Sequence, residues 1–190
     1  LDDLKRLFTL DRLNKSAARF DRKKLDWLNG QHIRMLTPEN LCDRVLPILH
    51  EAGFDTTGKS REWLVKMAAI CQEKIPTLRH ITAYTDFFFQ DVAEYDEKAA
   101  NKYFRQPESR AWLETGLRVM EAAEAWDHDG LKAGFERAAE ETGVKLGSLV
   151  NSARLALTGK PVGPGLFELA ELLGRDTATA RMRRAIGSLG

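Results

Sequence analysis

Apolar residues along this chain recur at spacings of three and four rather than alternately, the period of helices packed by one face. Leu41, Val45, Leu46 and Leu49 share such a face, with Thr37 before it as an N-cap and Pro38 at the first helical position. Gly53 is placed to end that helix in a left-handed conformation. Ser60 caps a second run carrying Trp63, Leu64, Met67 and Ile70 on its inner face and stopping before Pro76. Thr77 opens a third, through Ile81 and Tyr84 towards Phe88. Asp96 and Pro107 precede two more, the second bearing Trp112, Leu113, Leu117 and Met120, and Asp127 opens another that ends near Gly143. Three helices follow over 145–158, 164–173 and 176–187, separated by Gly159 and Gly174. Residues 81–89 are the one stretch long enough and apolar enough to pass as strand, and they do not alternate. The pattern predicts about ten short helices and little or no sheet.

Composition sharpens this. The 22 Ala and 25 Leu far outnumber the 7 Val and 6 Ile, which favours an all-α fold. A length of 190 residues suffices for one large domain or two to three small ones, and 30% charged residues with aromatics throughout excludes a disordered chain. No apolar run approaches the roughly 20 residues that span a bilayer, and nothing at the start reads as a signal peptide. The expectation is a globular cytoplasmic protein with no membrane partner, and a chain opening at Leu1 reads as a piece of something longer. Cys42 and Cys71 stand apart from each other and from any histidine at ligand spacing, so two buried free thiols are expected, with no metal site.

Charge is unevenly spread. Residues 1–34 carry a net +4, residues 35–144 a net −7 and residues 145–190 a net +4, which leaves the whole chain at +1. Two basic ends around an acidic middle suit a polyanionic partner, although solvated surface produces the same unevenness by chance.

The stretch Phe20-Asp21-Arg22-Lys23-Lys24-Leu25-Asp26-Trp27-Leu28-Asn29-Gly30-Gln31-His32-Ile33-Arg34 resembles the "FDxxKLxWLNGxYIR" segment of bacterial-type glutamyl-tRNA synthetases. Upstream, residues 8–16 resemble that family's "FDLERVSKS". Lys145-Leu146-Gly147 with Arg154 to Gly159 resembles "KLG…LRxALTG", and Val162 to Glu168 with Glu171 to Gly174 resembles "VSPGLFE…ELLG". The segments keep the family's order and spacing over essentially the whole chain. The resemblance implies the carboxyl-terminal half of such an enzyme: a multi-helix array with a partial stem-contact region at 1–40 and two anticodon-binding helical subdomains at 41–105 and 106–190. The "HIGH" and "KMSKS" motifs that bind ATP in the family are absent. The resemblance therefore implies no catalytic residue and no cofactor here, with ATP and magnesium belonging to a catalytic domain elsewhere.

The resemblance also distributes roles. Arg154 aligns with the arginine of the family's "QPLR" at the anticodon, although Asn151-Ser152-Ala153 replace the residues before it. A guanidinium can stack on a base and donate two hydrogen bonds to its edge or to a phosphate. Gly163, Pro164, Gly165 and Leu166 are expected at the anticodon too: glycines let a base approach the backbone, and Leu166 offers it an apolar face, while Phe167 is assigned to the core. Lys74, before Pro76, corresponds to a basic residue directed at the third anticodon nucleotide, against the alternative of a solvated lysine at a helix end. Arg19, Arg22, Lys23, Lys24 and Arg34 form a basic stripe suited to phosphates of the tRNA stem, or an ordinary solvated face. Trp27, with Leu25 and Leu28, is expected in the core, and His50, His80 and His128 carry no assigned chemistry.

The reading is thus tRNA recognition, by stem and anticodon, within a monomeric cytoplasmic glutamate–tRNA ligase whose partner is tRNA(Glu) and not DNA. Two alternatives stay open: a helical interaction module that kept the fold without binding RNA, and a synthetase that also charges tRNA(Gln).

Overall fold

The computed structural model describes residues 2–7 and 20–189. Among them are eleven α-helices and no strand: α1 (Asp2–Leu7), α2 (Arg22–Arg34), α3 (Pro38–Glu51), α4 (Arg61–Gln72), α5 (Ile81–Thr85), α6 (Glu97–Tyr103), α7 (Ser109–Ala122), α8 (His128–Thr142), α9 (Leu146–Thr158), α10 (Leu166–Leu173) and α11 (Arg175–Gly187). Two 3-10 turns, Leu78–His80 and Asp86–Phe88, flank α5, so the apolar stretch at 81–89 winds rather than extends. The Thr85 hydroxyl donates to the Ile81 carbonyl at 2.8 Å and closes that short helix. No helix among the described residues is long and apolar enough to cross a membrane.

Local chemistry sets the helix starts. The side chains of Asp21, Thr37, Ser60, Asp96 and Asp127 each accept from the backbone N–H three residues on, at 3.1, 3.3, 3.1, 2.8 and 2.8 Å. Each satisfies one of the donors that a helix start leaves free. Gly53 ends α3 at φ +82°, as its position predicts.

Two groups of helices share the core. In the first, α3, α4 and α5 pack around Leu41, Val45, Leu49, Met67, Cys71 and Ile81. In the second, α7, α9 and α11 pack together, with α8 and α10 on one side and α6 against α9. Helix α10 touches both groups, α4 on one face and α8, α9 and α11 on the other. It is held by two indoles: Trp63 of α4 donates to the Leu172 carbonyl at 3.0 Å, and Trp126 donates to the Ala170 carbonyl at 3.0 Å.

A second seam runs through Arg181 of α11, which is 5% exposed. Its guanidinium donates to the carbonyls of Phe87 (2.9 Å), Leu157 (2.7 Å) and Gln90 (3.0 Å), with Asp91 at 3.6 Å. Beside it, the Asp96 N–H donates to the Gly159 carbonyl at 2.7 Å, and Lys160 reaches Asp86 at 2.6 Å. Gly159 itself sits at φ +71°, and the Glu94 carbonyl occupies the place a Cβ would take. That position requires glycine on both counts.

Cys42 and Cys71 are free and fully buried. Burial pushes the Cys71 thiol up to about 12 and also raises Cys42, where Arg61 partly opposes it.

Two measurements test this description. Arg181→Ala leaves two buried carbonyls and one partly buried carbonyl without this donor and costs about 3–5 kcal/mol of stability. Arg183→Ala, which breaks an exposed pair with Glu121, costs under about 1 kcal/mol; urea denaturation of both variants checks the contrast. Because both thiols are protonated well above neutral pH in the folded chain, a disulfide reagent at pH 8 titrates neither until denaturant is added.

Candidate nucleic-acid interface

Arg154 lies in α9, a helix against which α6, α8 and α10 all pack. Its side chain is half-buried, and Nε is sealed from solvent with no hydrogen-bond partner. No carboxylate lies within ion-pair distance of the guanidinium among the described residues. Burial pulls its pKa below the ordinary arginine value, while Tyr103 and Glu168 act in the opposite direction.

The Gly-Pro-Gly turn enters α10 beside this arginine. Gly163 and Pro164 are both buried, although a Cβ built on Gly163 would meet no atom within 4 Å. Gly165 differs: the Glu168 carboxylate folds back over it and fills the space a Cβ would take. Glu168 is the third residue of α10, where its carboxylate lies at the positive end of the helix dipole. Glu168 also faces His128 Nε2 at 3.7 Å, and His128 is braced by Asp129 at 2.7 Å and by the edge of Phe167.

Leu166 is not the apolar platform the sequence suggested. It is 2% exposed and turns into the core with Leu169 and Ala170, because α10 packs by that face. Phe167, expected in the core, packs against it partly buried, beside His128 and Phe135.

Lys74 belongs to a different corner. Twelve residues of α4, about 18 Å of helix, separate it from the end of α4 that packs on α10. Gln72 donates from Nε2 to the carbonyls of Ile33 (2.8 Å) and Leu36 (2.9 Å), which pins the end of α2 to the end of α4. Arg34 and Lys74, assigned to stem and anticodon separately, therefore share one corner, Arg34 lying 3.9 Å from Glu73 and Lys74 standing exposed beside it. A groove of about 650 Å³ opens next to them, walled by Ile33, Leu36 and Leu78 with Arg44 and Arg79 on its rim.

Arg22, Lys23 and Lys24 are exposed in the first turn of α2, while Arg19 lies outside the described residues. The expected burial of Trp27, Leu25 and Leu28 is corrected: they are 58%, 41% and 40% exposed. Burial along α2 begins only at Gly30 and Ile33, where the helix meets the rest of the core.

The basic carboxyl-terminal segment does not form a basic surface. Arg175 donates to the Glu121 and Ala123 carbonyls and lies over Trp126, Arg181 is buried, Arg183 pairs with Glu121 and Arg184 with Asp91. The acidic middle of the chain folds onto these arginines, and Lys160 is taken up by Asp86. What the segment leaves open is Arg154 and Lys145.

Sequence reasoning passed over Glu168, Tyr103 and His128 as site residues. The signal available was the spacing from Gly165 to Glu168, that of a helix cap. Among the described residues no group of three or more histidine, cysteine or acidic side chains is placed to hold a metal ion.

A family model described as "Anticodon binding domain" matches residues 40–186. The chain is 33% identical over 181 residues to the glutamate–tRNA ligase of Moorella thermoacetica, covering 94% of this chain and 37% of that protein. It is 35% identical over 183 residues to the glutamate–tRNA ligase of Elusimicrobium minutum, covering 96% and 37%. A crystal structure of a glutamate tRNA ligase from Elizabethkingia meningosepticum shares the fold, with a TM-score of 0.81 at 24% identity over 100% of this chain and 37% of that one. The chain thus spans somewhat more than a third of the length of these relatives. Since the match runs from the first turn of α3 to the last turn of α11 and takes in Lys74, Arg154 and the Gly-Pro-Gly turn, the chain belongs to the anticodon-binding-domain family.

Proposed function

We propose that this chain is the tRNA-recognition part of a glutamate–tRNA ligase, with tRNA(Glu) as its partner. The observation that carries this reading is Arg154: a half-buried guanidinium that no side chain or carbonyl among the described residues accepts from, in a member of an anticodon-binding family. A guanidinium that the protein leaves unpaired can donate its terminal N–H groups to a ligand. An opened anticodon loop supplies acceptors for them on unstacked base edges.

The role is positioning. Arg154 and the turn hold the loop, the corner of Arg34 and Lys74 holds a second point, and the first turn of α2 contacts phosphates without reading sequence. Together these orient the acceptor end towards a catalytic domain, where ATP and magnesium serve to activate glutamate; a displaced acceptor end slows that chemistry without any change in the active site. We assign the ligase to the cytoplasm, as a monomer. At Lys74 a compact ammonium takes the place of a planar fork, so discrimination at the third anticodon position is less sharp than an arginine would give.

Two experiments test the reading. Arg154→Ala weakens binding of a tRNA(Glu) transcript by about 1–3 kcal/mol with helix content unchanged; unchanged affinity in a folded variant removes the assignment. Replacing Lys23 and Lys24 together by alanine weakens every tRNA alike and lowers the slope of log affinity against log salt by about one per residue. A loss confined to one anticodon sequence contradicts the phosphate role.

A further inference from the structure

The groove of about 650 Å³ at the corner of Arg34 and Lys74 is built from three segments. The end of α2 supplies Ile33, Met35 and Leu36, α3 supplies Arg44, and residues 77–79 before α5 supply Leu78 and Arg79. Its size falls within the about 300–1,000 Å³ of sites that enclose small molecules. The walls are apolar, and Met35 is 79% exposed, an unbranched thioether left to solvent. The walls are also held in place by the protein alone. Gln72 donates to the Ile33 and Leu36 carbonyls at 2.8 and 2.9 Å, and the Met35 N–H donates to the His32 carbonyl at 3.3 Å. Three carbonyls at the negative end of α2 are thereby occupied, so that end presents fewer free acceptors to an anion.

Charge narrows the occupant. Arg44, Arg79 and His32 line the groove and none of the lining residues is acidic, although the segment 35–144 carries a net −7. Arg44 is exposed and makes no hydrogen bond or ion pair among the described residues. The Arg79 guanidinium meets Glu51 at 3.5 Å with both side chains largely exposed, a contact that contributes little and exchanges readily. An apolar peptide covers the walls but leaves the guanidiniums without acceptors. A free phosphate pairs with the guanidiniums but leaves the walls wet. A nucleotide joins a flat apolar face to a phosphate and satisfies both.

We propose that this groove takes one unpaired nucleotide of the anticodon loop, a neighbour of the one that Lys74 meets, with its base lying against Met35, Leu36 and Leu78 and its phosphate on Arg44 and Arg79. This rests on the tRNA-binding reading and deepens it. Lys74 meets the RNA as a point charge, whereas the groove holds a base by its face. Such a hold senses that a base is present and how large it is, and it reads little of the edge. Beyond the arginines and His32, only Asn29 and Thr77 bring hydrogen-bonding side chains to the lining, and Thr77 is already engaged by His80 at 2.8 Å.

The test follows Met35 itself. The other three methionines, Met67, Met120 and Met182, are fully buried, so methyl-labelled methionine gives one surface reporter with three internal controls. Met35→Leu assigns its resonance. When a tRNA(Glu) transcript saturates the full chain, the Met35 methyl moves upfield in the ring current of a base and the buried methyls stay. Transcripts with a single base removed and the backbone intact then locate the nucleotide. Removal of one of the two bases flanking the third anticodon position weakens binding by about 5- to 50-fold and abolishes the Met35 shift. Arg44→Ala weakens intact and abasic transcripts alike and lowers the slope of log affinity against log salt by about one. Binding of the transcript without movement of Met35 overturns the proposal, as does a shift that survives removal of either flanking base. A Met35 resonance that moves with protein concentration in the absence of RNA gives the groove to a second copy of this chain and overturns it too. A wild-type chain that binds no transcript removes the tRNA-binding reading itself, and the proposal with it.

Discussion

Helices that end inside a protein leave carbonyls pointing at one another, and here three of them, two buried and one partly so, meet in a seam. Phe87 and Gln90 come from the turn after α5, and Leu157 from the last turn of α9. A neutral side chain has too few donors to satisfy all three. The Arg181 guanidinium, with five N–H groups in a fixed fork, supplies them from α11. Burying a lone charge is unfavourable, and the carbonyl dipoles with Asp91 at 3.6 Å offset it. With that seam in place the segment leading to α6 lies along the end of α9, and Asp96 both caps α6 and donates to Gly159. Helix α6 then packs against α9, the helix that carries Arg154. The environment of the candidate reading residue thus descends from one arginine some two dozen residues further along the chain.

Helix α10 completes that environment from the other side. It is short, eight residues, and a helix of that length has little stability of its own. Trp63 and Trp126 grip its last carbonyls, one from each group of helices, so its carboxyl-terminal end is fixed by packing and hydrogen bonding together. Its amino-terminal end is fixed by Glu168 folding over Gly165. The same carboxylate also lies 3.7 Å from His128 Nε2 at the start of α8.

Much of the fold is legible locally. Asp21, Thr37, Ser60, Asp96 and Asp127 act on an N–H three residues away, and Gly53, Gly143 and Gly159 adopt positive φ where a helix must stop. Such effects need no tertiary information. Three features of the site do need it. A net charge summed over 145–190 treats arginines as surface, whereas Asp91 and Glu121, far away in sequence, fold onto them. Along a helix as short as α10 the apolar phase is ambiguous, and Leu166 joins Phe167 against the core instead of facing outward. On α2 the apolar spacing of Leu25 and Leu28 promises a buried face, but burial starts only at Gly30. In each case the deciding neighbour is remote along the chain.

Gly159 has a consequence for how this molecule meets a partner. With the Glu94 carbonyl lodged where a side chain would stand, the end of α9 and the segment before α6 are welded at van der Waals contact, backbone on backbone. A joint of that kind offers no hinge, and Arg181 on one flank with Lys160 on the other removes the remaining play. The protein therefore arrives rigid on this side, with its side chains already ordered and little entropy left to lose on association. On the proposed reading, whatever adaptation the encounter demands, unstacking a loop or swinging out a base, falls to the nucleic acid, and sequences that deform more readily gain an advantage.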